Sequence, residues 1–371
     1  MKALGIIFAN IYDSSLGELT NKRTIASLPY GGRYRQIDFI LSSMSNSGIR
    51  HIGIITKYNY QSLMHHIGSG QEWNMEMAEG SLEYLTPFAM SHDGTYRGKL
   101  DALNCAIDFL EETKEEYVIL SDSSVVCNID LKKVLEQHIA SGKEVTVVAT
   151  DGVANSTKQL DLAIRLDESG EVVDLAVDYC AGPEYLASMG IFVMKRELLV
   201  KVVKESVARS LYRLERDFML RQFAAKNLTV GVYLFDGVAL FNESTLEYYK
   251  NNLALLNPEV RHGLFNGGGT IYTKVRDRVP TVYGENSEID DCIVADGCEL
   301  EGCAEHSLFF RQVKLGAGAK VSNSLIMNDC VVGENAELDC VILDKDVVVH
   351  PGARLVGTPE NPMIIKRGEV V

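Results

Sequence analysis

Seven-residue windows recur at a fixed interval along the last part of this chain, and no other feature narrows its architecture so far. Leu315 to Val321 (LGAGAKV), Val332 to Leu338 (VGENAEL) and Val349 to Leu355 (VHPGARL) each begin 17 positions after the one before. Each window opens and closes on an aliphatic residue and carries alanine at its fifth place, at Ala319, Ala336 and Ala353. Leu325 and Ile342 keep the same spacing, as do Ile326 and Leu343, and an earlier copy from Val294 to Leu300 has Cys298 at the small position. An aliphatic residue followed four places later by a small one is the hexapeptide pattern of a parallel β-helix, in which three six-residue faces close one triangular coil. Aliphatic side chains stack inward and small ones sit at the corners. An antiparallel sandwich would alternate with period two and would hold no such register. The repeat predicts a parallel β-helix of about four coils. Its open edges and apolar ends suit an assembly surface rather than a catalytic domain.

The preceding two thirds alternate strand and helix. Ala3-Leu4-Gly5-Ile6-Ile7-Phe8 reads as a buried first strand. Ile37 to Ile49 reads as a helix, His51 to Thr56 as a strand, and Leu100, Leu103, Ile107 and Leu110 as the stripe of an amphipathic helix. Glu116 to Leu120 is the next strand, Leu131 to Ser141 a helix ending near Gly142, and Glu144 to Ala149 a further strand. Such alternation predicts an α/β domain of Rossmann-like type, a mostly parallel sheet with helices on both faces. The helix Ser244 to Leu256 closes it, and Asn257-Pro258 with Gly267-Gly268-Gly269 mark a hinge. The expected domains are 1–257 and 285–371, joined by a linker over 258–284.

A formal charge of −15 argues against nucleic acid or an acidic membrane as a partner. No apolar run approaches the ~20 residues of a membrane span. The eight cysteines show no CxxC pair, which suits free thiols in the cytoplasm, and the spacing of Cys298, Cys303, Cys330 and Cys340 follows the repeat rather than a metal site.

A buried strand feeding an α/β domain usually delivers glycines whose backbone N–H groups approach a phosphate. Here Asn10 to Leu16 has no glycine, and Asp13 would repel a phosphate. Around this loop the segments LTNKR (Leu19 to Arg23), PYGGRYRQIDF (Pro29 to Phe39), SNSGI, HIGSG (His66 to Gly70), YRGKLDA (Tyr96 to Ala102) and ASMGIFVM (Ala187 to Met194) follow in order. Together with the hexapeptide region they resemble the glucose-1-phosphate adenylyltransferase (ADP-glucose pyrophosphorylase) family over nearly the whole chain. The resemblance implies a nucleotidyltransferase domain of GT-A type followed by a left-handed β-helix. It also implies the reaction of ATP with glucose 1-phosphate to give ADP-glucose and pyrophosphate.

That reaction brings two anions together, so cationic side chains and Mg²⁺ held by carboxylates must neutralise the site. At the positions where the family carries these groups, this chain departs from the pattern. The arginine of the phosphate loop falls on Ser15, the first metal aspartate on Ser124, the second on Phe241 or Asn242, and the sugar-phosphate lysine on Asp178. The lysine of the LTxxRAKP segment falls on Ile25. Loss of one such donor costs on the order of 10²–10³ in rate. The pattern resembles the degenerate second subunit of this family, the GlgD type, which implies a chain with no catalytic residues and no metal of its own. Its partner would be an intact catalytic subunit that uses Mg²⁺, most simply in a heterotetramer, with a homo-oligomer as the form alone. The remaining pocket would be lined by Gly98, Lys99, Asp101, Asp122 and Ser188, and an anionic effector would meet Arg23, Arg33 and Arg35.

Two other readings bear on the same residues. An active sugar-1-phosphate nucleotidyltransferase with repositioned groups would use Asp122 and Lys99. A hexapeptide acyltransferase would need a catalytic histidine at a coil interface, and the isolated His350, a corner residue, suits it poorly. His66 has no acidic partner nearby in sequence and reads as structural, Trp73 as a core residue, and Asp101 as favoured by a helix start.

Overall fold

The computed structural model describes residues 2–75, 81–86, 96–154 and 157–371. The apolar first strand, β1 (Ala3–Phe8), is followed by the short hairpin β2 (Pro29–Tyr30) and β3 (Tyr34–Arg35), then α1 (Gln36–Asn46), β4 (His51–Ile55), α2 (Gln61–Ile67) and β5 (Ser81–Leu85). Next come α3 (Lys99–Cys105), α4 (Ile107–Glu112), β6 (Tyr117–Asp122), β7 (Val125–Cys127), α5 (Leu131–Ser141) and β8 (Val145–Thr150). The chain continues through β9 (Ala163–Leu166), β10 (Val172–Ala176), β11 (Leu186–Lys195) and α6 (Arg196–Val207). A π-helical turn at Leu214–Leu220 leads into α7 (Arg221–Ala224), β12 (Val230–Leu234), β13 (Ala239–Phe241), α8 (Thr245–Ala254) and α9 (Pro258–Asn266).

β5, β4, β1 and β6 lie side by side and run parallel. β11 enters antiparallel between β6 and β8, and β12 runs parallel to β8. β9 and β10 extend the sheet beside the start of β11. On one face Ile40, Met44, Trp73 and Leu131 cover Ile7, Ile54 and Ile119. On the other, Leu100, Leu103, Leu110 and Leu199 cover Leu4, Ile6 and Leu120. The single helix expected over Leu100 to Leu110 is instead two, because the backbone turns at Ala106 (φ −107°, ψ 19°), yet all four stripe residues remain buried. α5 stops where the sequence places its glycine, with Gly142 at φ 63°. Within the stretch read as a linker, Asn257 caps α9 by accepting from the Glu259 N–H, with Pro258 in its first turn.

The last part of the chain coils. Its first turn is β14 (Val282–Tyr283), β15 (Glu288–Asp290) and β16 (Ile293–Val294), and three parallel sheets of five strands each give five coils of a left-handed β-helix. The 17-residue register is physical: Leu315 pairs with Val332 and Val332 with Val349, while Leu325 pairs with Ile342. The early copy sits one face away from its later counterparts. Val294 stacks on Phe309 and Ile293 on Leu308, because this window begins one face before Leu300, the residue that stacks on Leu315. Cys298, Ala319 and Ala336 are buried at the corners, where a larger side chain would find no room.

One face of the β-helix packs against the sheet domain. Leu308, Phe310, Leu325 and Ile342 meet Tyr30, Phe39, Tyr248 and Leu255. Arg23 reaches both carboxylate oxygens of Asp344 across this seam, and Tyr249 donates to the Asn323 carbonyl. Among the described residues no helix is long and apolar enough to cross a membrane.

Candidate functional site: a self-paired cleft

The carboxyl ends of β1 and β6 lie together, with Phe8 beside Asp122. From β1 the sheet continues to β4 on one side and β6 on the other, and an open α/β sheet leaves its ligand crevice at such a point. The loop leaving β1 is organised by its own side chains. The Asn10 amide oxygen accepts from the Thr56 hydroxyl (2.7 Å) and the Lys57 N–H (2.8 Å), and its nitrogen donates to Asp13. Asp13 also accepts from the Ile25 N–H at 2.8 Å. The loop therefore directs its donors to an internal carboxylate. Burial pushes Asp13 up to about 6, against those two hydrogen bonds. Tyr12, in the left-handed region at φ 67°, donates its phenol to Asp161.

The cleft holds its own cation. Lys99, in the first turn of α3, is 6% exposed and donates to Asp122 at 2.7 Å and Glu215 at 2.5 Å. Two glycines give this arrangement its room. A Cβ on Gly98 would lie 2.2 Å from the Tyr212 carbonyl oxygen, and one on Gly190, at φ +67°, would lie 2.4 Å from Asp122 Oδ2. Burial opposes the charge on Lys99, but Asp122 and Glu215 outweigh it and hold the ammonium protonated. Two carboxylates share that one ammonium in a dry site, so burial, aided by Glu215 and Asp161, pushes Asp122 up to about 7 despite Lys99. Its Oδ1 has no hydrogen-bond partner.

Ion pairs also close the rim. Asp178 lies between Arg213 (2.9 Å) and Arg216. Lys158 pairs with Glu247 (2.7 Å) and Glu243 (3.4 Å) and sits 4.8 Å above the Phe241 ring. Burial pushes Glu243 up to about 7. The open mouth has a volume of about 310 Å³ and is lined by Tyr12, Lys57, Tyr96, Gly98, Asp178 and Arg213 among others. A divalent cation does not fit here. The position between the best-placed carboxylates is filled by the Lys99 ammonium, and among the described residues no group of three or more ligating side chains is arranged to hold a metal.

The structure gathers many of the sequence-selected residues around this cleft. Asp122, Ser124, Ser188 and Phe241 line its inner part, and Gly98, Lys99 and Asp178 its mouth. Ser15 stands at the edge, donating to the carbonyls of Tyr12 and Glu243. Asn242 is buried and accepts from the Asn251 side chain at 3.1 Å. Asp101 turns away to Arg97, accepting from its N–H and its guanidinium. The sequence alone passed over Tyr12, Asp161, Glu215, Arg213, Arg216 and Glu243. The alternating charges Arg213-Leu214-Glu215-Arg216-Asp217 were a signal for part of this set; nothing local marked Asp161.

The three arginines take different partners. Arg23 is committed to Asp344 and the Leu19 carbonyl, while Arg35 is buried against Ser62. Arg33 and Arg35 line the seam with the β-helix together with Arg276, Arg311 and Lys345. There burial, joined by Arg35 and Arg23, pulls Lys345 down to about 6. His66, beside this seam, does have an acidic partner, Asp38 at 2.5 Å, contributed from a distant segment.

Residues 5–237 match the nucleotidyl transferase family, and residues 278–361 match the GlmU-like C-terminal hexapeptide family. The glycogen biosynthesis protein GlgD of Bacillus subtilis (strain 168) is 32% identical over 99% of this chain and 96% of its own length. Its namesake in Geobacillus stearothermophilus is 35% identical over 100% and 97%. The glucose-1-phosphate adenylyltransferase of Fervidobacterium nodosum is 27% identical over 95% of this chain and 85% of its own.

Proposed function

We propose, for a chain that belongs to the nucleotidyl transferase family and within it to the GlgD glycogen biosynthesis proteins, a regulatory role in glycogen biosynthesis without chemistry of its own. The observation that carries this reading is Lys99, whose ammonium sits between Asp122 and Glu215. Joining ATP to glucose 1-phosphate requires the cleft to neutralise an attacking phosphate and a departing pyrophosphate. Here most cationic groups of the cleft are already consumed, Lys99 by two carboxylates, Arg213 and Arg216 by Asp178, and Lys158 by Glu243 and Glu247, which leaves Lys57 at the mouth. The loop after β1 offers an aspartate where a phosphate would need backbone donors. The same pairing weighs against an active enzyme with repositioned groups, since neither Lys99 nor Asp122 is free to act.

A fold kept whole around such a cleft can serve by occupying subunit positions beside an active relative, since similar folds can substitute within a closed symmetric assembly. The partner is then a catalytic glucose-1-phosphate adenylyltransferase subunit, in a tetramer with two copies of each chain. A bias of about 1–3 kcal/mol toward the partner's active conformation suffices for activation. An anionic effector would bind where Arg33, Arg35, Arg276 and Arg311 gather at the seam.

A coupled pyrophosphate assay on the purified chain, with Mg²⁺, ATP and glucose 1-phosphate, tests the catalytic half of this reading. The expected rate equals the enzyme-free control. Turnover at or above ~1 s⁻¹, the lower end for ordinary enzymes, overturns it.

A further inference from the structure

The mouth of the cleft, with a volume of about 310 Å³, lies at the lower end of the range in which small-ligand sites are found. Its charges are settled among its own side chains. Arg97 is held by Asp101 at 3.0 Å, Lys99 by Glu215, and Arg213 and Arg216 by Asp178, while Asp13 is the charge that acts on Lys57. Asp161, at the same opening, accepts from Tyr12 and adds a further carboxylate. A lining balanced in this way has little net field to draw in a phosphate. It still presents hydrogen-bonding groups, since the Arg213 and Arg216 side chains are half-exposed and Asp178 is partly so. Aromatic surface stands beside them. Tyr12, Tyr58 and Tyr96 all reach the mouth, and Tyr58 is 46% exposed, with no hydrogen bond to its hydroxyl among the described residues.

We propose that this mouth binds an uncharged saccharide, a short α-glucan chain, in place of a nucleotide or a sugar phosphate. Each sugar hydroxyl both donates and accepts, so it needs a carboxylate edge and an N–H edge close together but no net charge. Asp178 and its two arginines offer both at one spot. The C–H face of a pyranose ring is apolar, and an exposed tyrosine ring gives it a flat partner with a polar tip. Tyr58 stands at the rim for this. A phosphate would instead have to break one of the ion pairs, which strands the carboxylate it leaves. Lys57 alone, facing Asp13, does not change that balance. The choice of an α-glucan rests on the regulatory role in glycogen biosynthesis proposed above, whereas the choice of a neutral ligand rests on the cleft itself. Through this site the chain senses the polymer whose synthesis it regulates.

Isothermal titration calorimetry of the full chain with maltotriose should give a single site with a dissociation constant on the order of 1 mM. That constant should change by less than about twofold from about 50 to 500 mM NaCl, because an uncharged ligand feels little screening. ATP, glucose 1-phosphate and adenosine should each bind about tenfold more weakly or worse. Tyr58→Ala should weaken maltotriose by about tenfold or more and leave the melting temperature unchanged, since the ring lies at the surface. Asp178→Asn suits the left-handed backbone at φ 52°, frees Arg213 and Arg216, and should reverse the preference toward glucose 1-phosphate. No binding of maltotriose at about 20 mM overturns the proposal. Tighter binding of adenosine or a sugar phosphate by the parent does the same, as does a Tyr58→Ala chain that binds maltotriose as before. The regulatory reading is judged separately, by turnover in the pyrophosphate assay, so the two can fail independently.

Discussion

The inner part of the cleft at the end of β1 and β6 and the interior of the β-helix are both nearly closed to water, yet they are held by opposite means. The β-helix stacks like on like, with Ile326 on Leu343 and Leu315 on Val332, and each layer contributes through the water it excludes. The cleft sets unlike charges against one another, with Lys99 between Asp122 and Glu215 and Asp178 between two arginines. Apolar stacking loses a little when one member is trimmed. A buried ion group loses much, because removing one partner strands the other without solvent. The difference teaches where the chain is robust and where removal of one side chain strands a buried charge.

Lys99→Met should therefore have the largest effect. Two carboxylates lose their shared ammonium, and the folded state should lose about 3–5 kcal/mol at pH 8 by chemical denaturation. The loss should shrink toward pH 5 as the stranded acids take up protons. A loss that is small and flat with pH would erase the contrast between the two regions. Gly190→Ala comes next, since its Cβ would meet Asp122 Oδ2 in a left-handed backbone, and about 1–3 kcal/mol should go.

The parent protein should show the same charge burden more gently. Asp122 and Glu243 are pushed up to about 7 and Asp13 to about 6, above the ordinary carboxylate values of the unfolded chain. The native state then binds more protons than the unfolded state from about pH 4 to pH 7, so stability should fall as pH rises through that window. Stability that instead rises across it would show that these acids are favourably ionised in the fold. Smallest of all, Ile326→Val in the β-helix should cost about 1 kcal/mol, equally at pH 5 and pH 8. A pH-dependent cost there would mean that the two regions are coupled.

The same contrast explains what the sequence could reveal. A repeating coil writes its contacts at constant spacing, so Leu315, Val332 and Val349 announced their stack before any coordinates. Periodicity also gave the main strands and helices of the sheet domain. It failed at Ala106, where tertiary packing divides one stripe between two helices, and at Val294, which lies one face before the residue that stacks on Leu315. In the cleft, the missing phosphate-loop glycines were visible as an absence, but their replacements were not. Lys99 meets Asp122 and Glu215 across 23 and 116 residues, and Arg23 meets Asp344 across 321. Charges paired at such separations follow no spacing rule, so only the fold could assemble them. The arginines near Gly31 looked like one patch in sequence because neighbours on a strand and turn were counted together. In space they serve different partners.

The central claim is that this chain contributes conformation rather than chemistry, and a titration tests it most directly. A catalytic glucose-1-phosphate adenylyltransferase subunit at fixed concentration, mixed with rising amounts of this chain, should change its maximal rate or effector response and reach a plateau at equal stoichiometry. The Lys99→Met chain, if it folds, should add no turnover of its own to the mixture. Separate elution of the two chains with unchanged kinetics would contradict the claim, as would a rate that climbs in proportion to this chain without saturating.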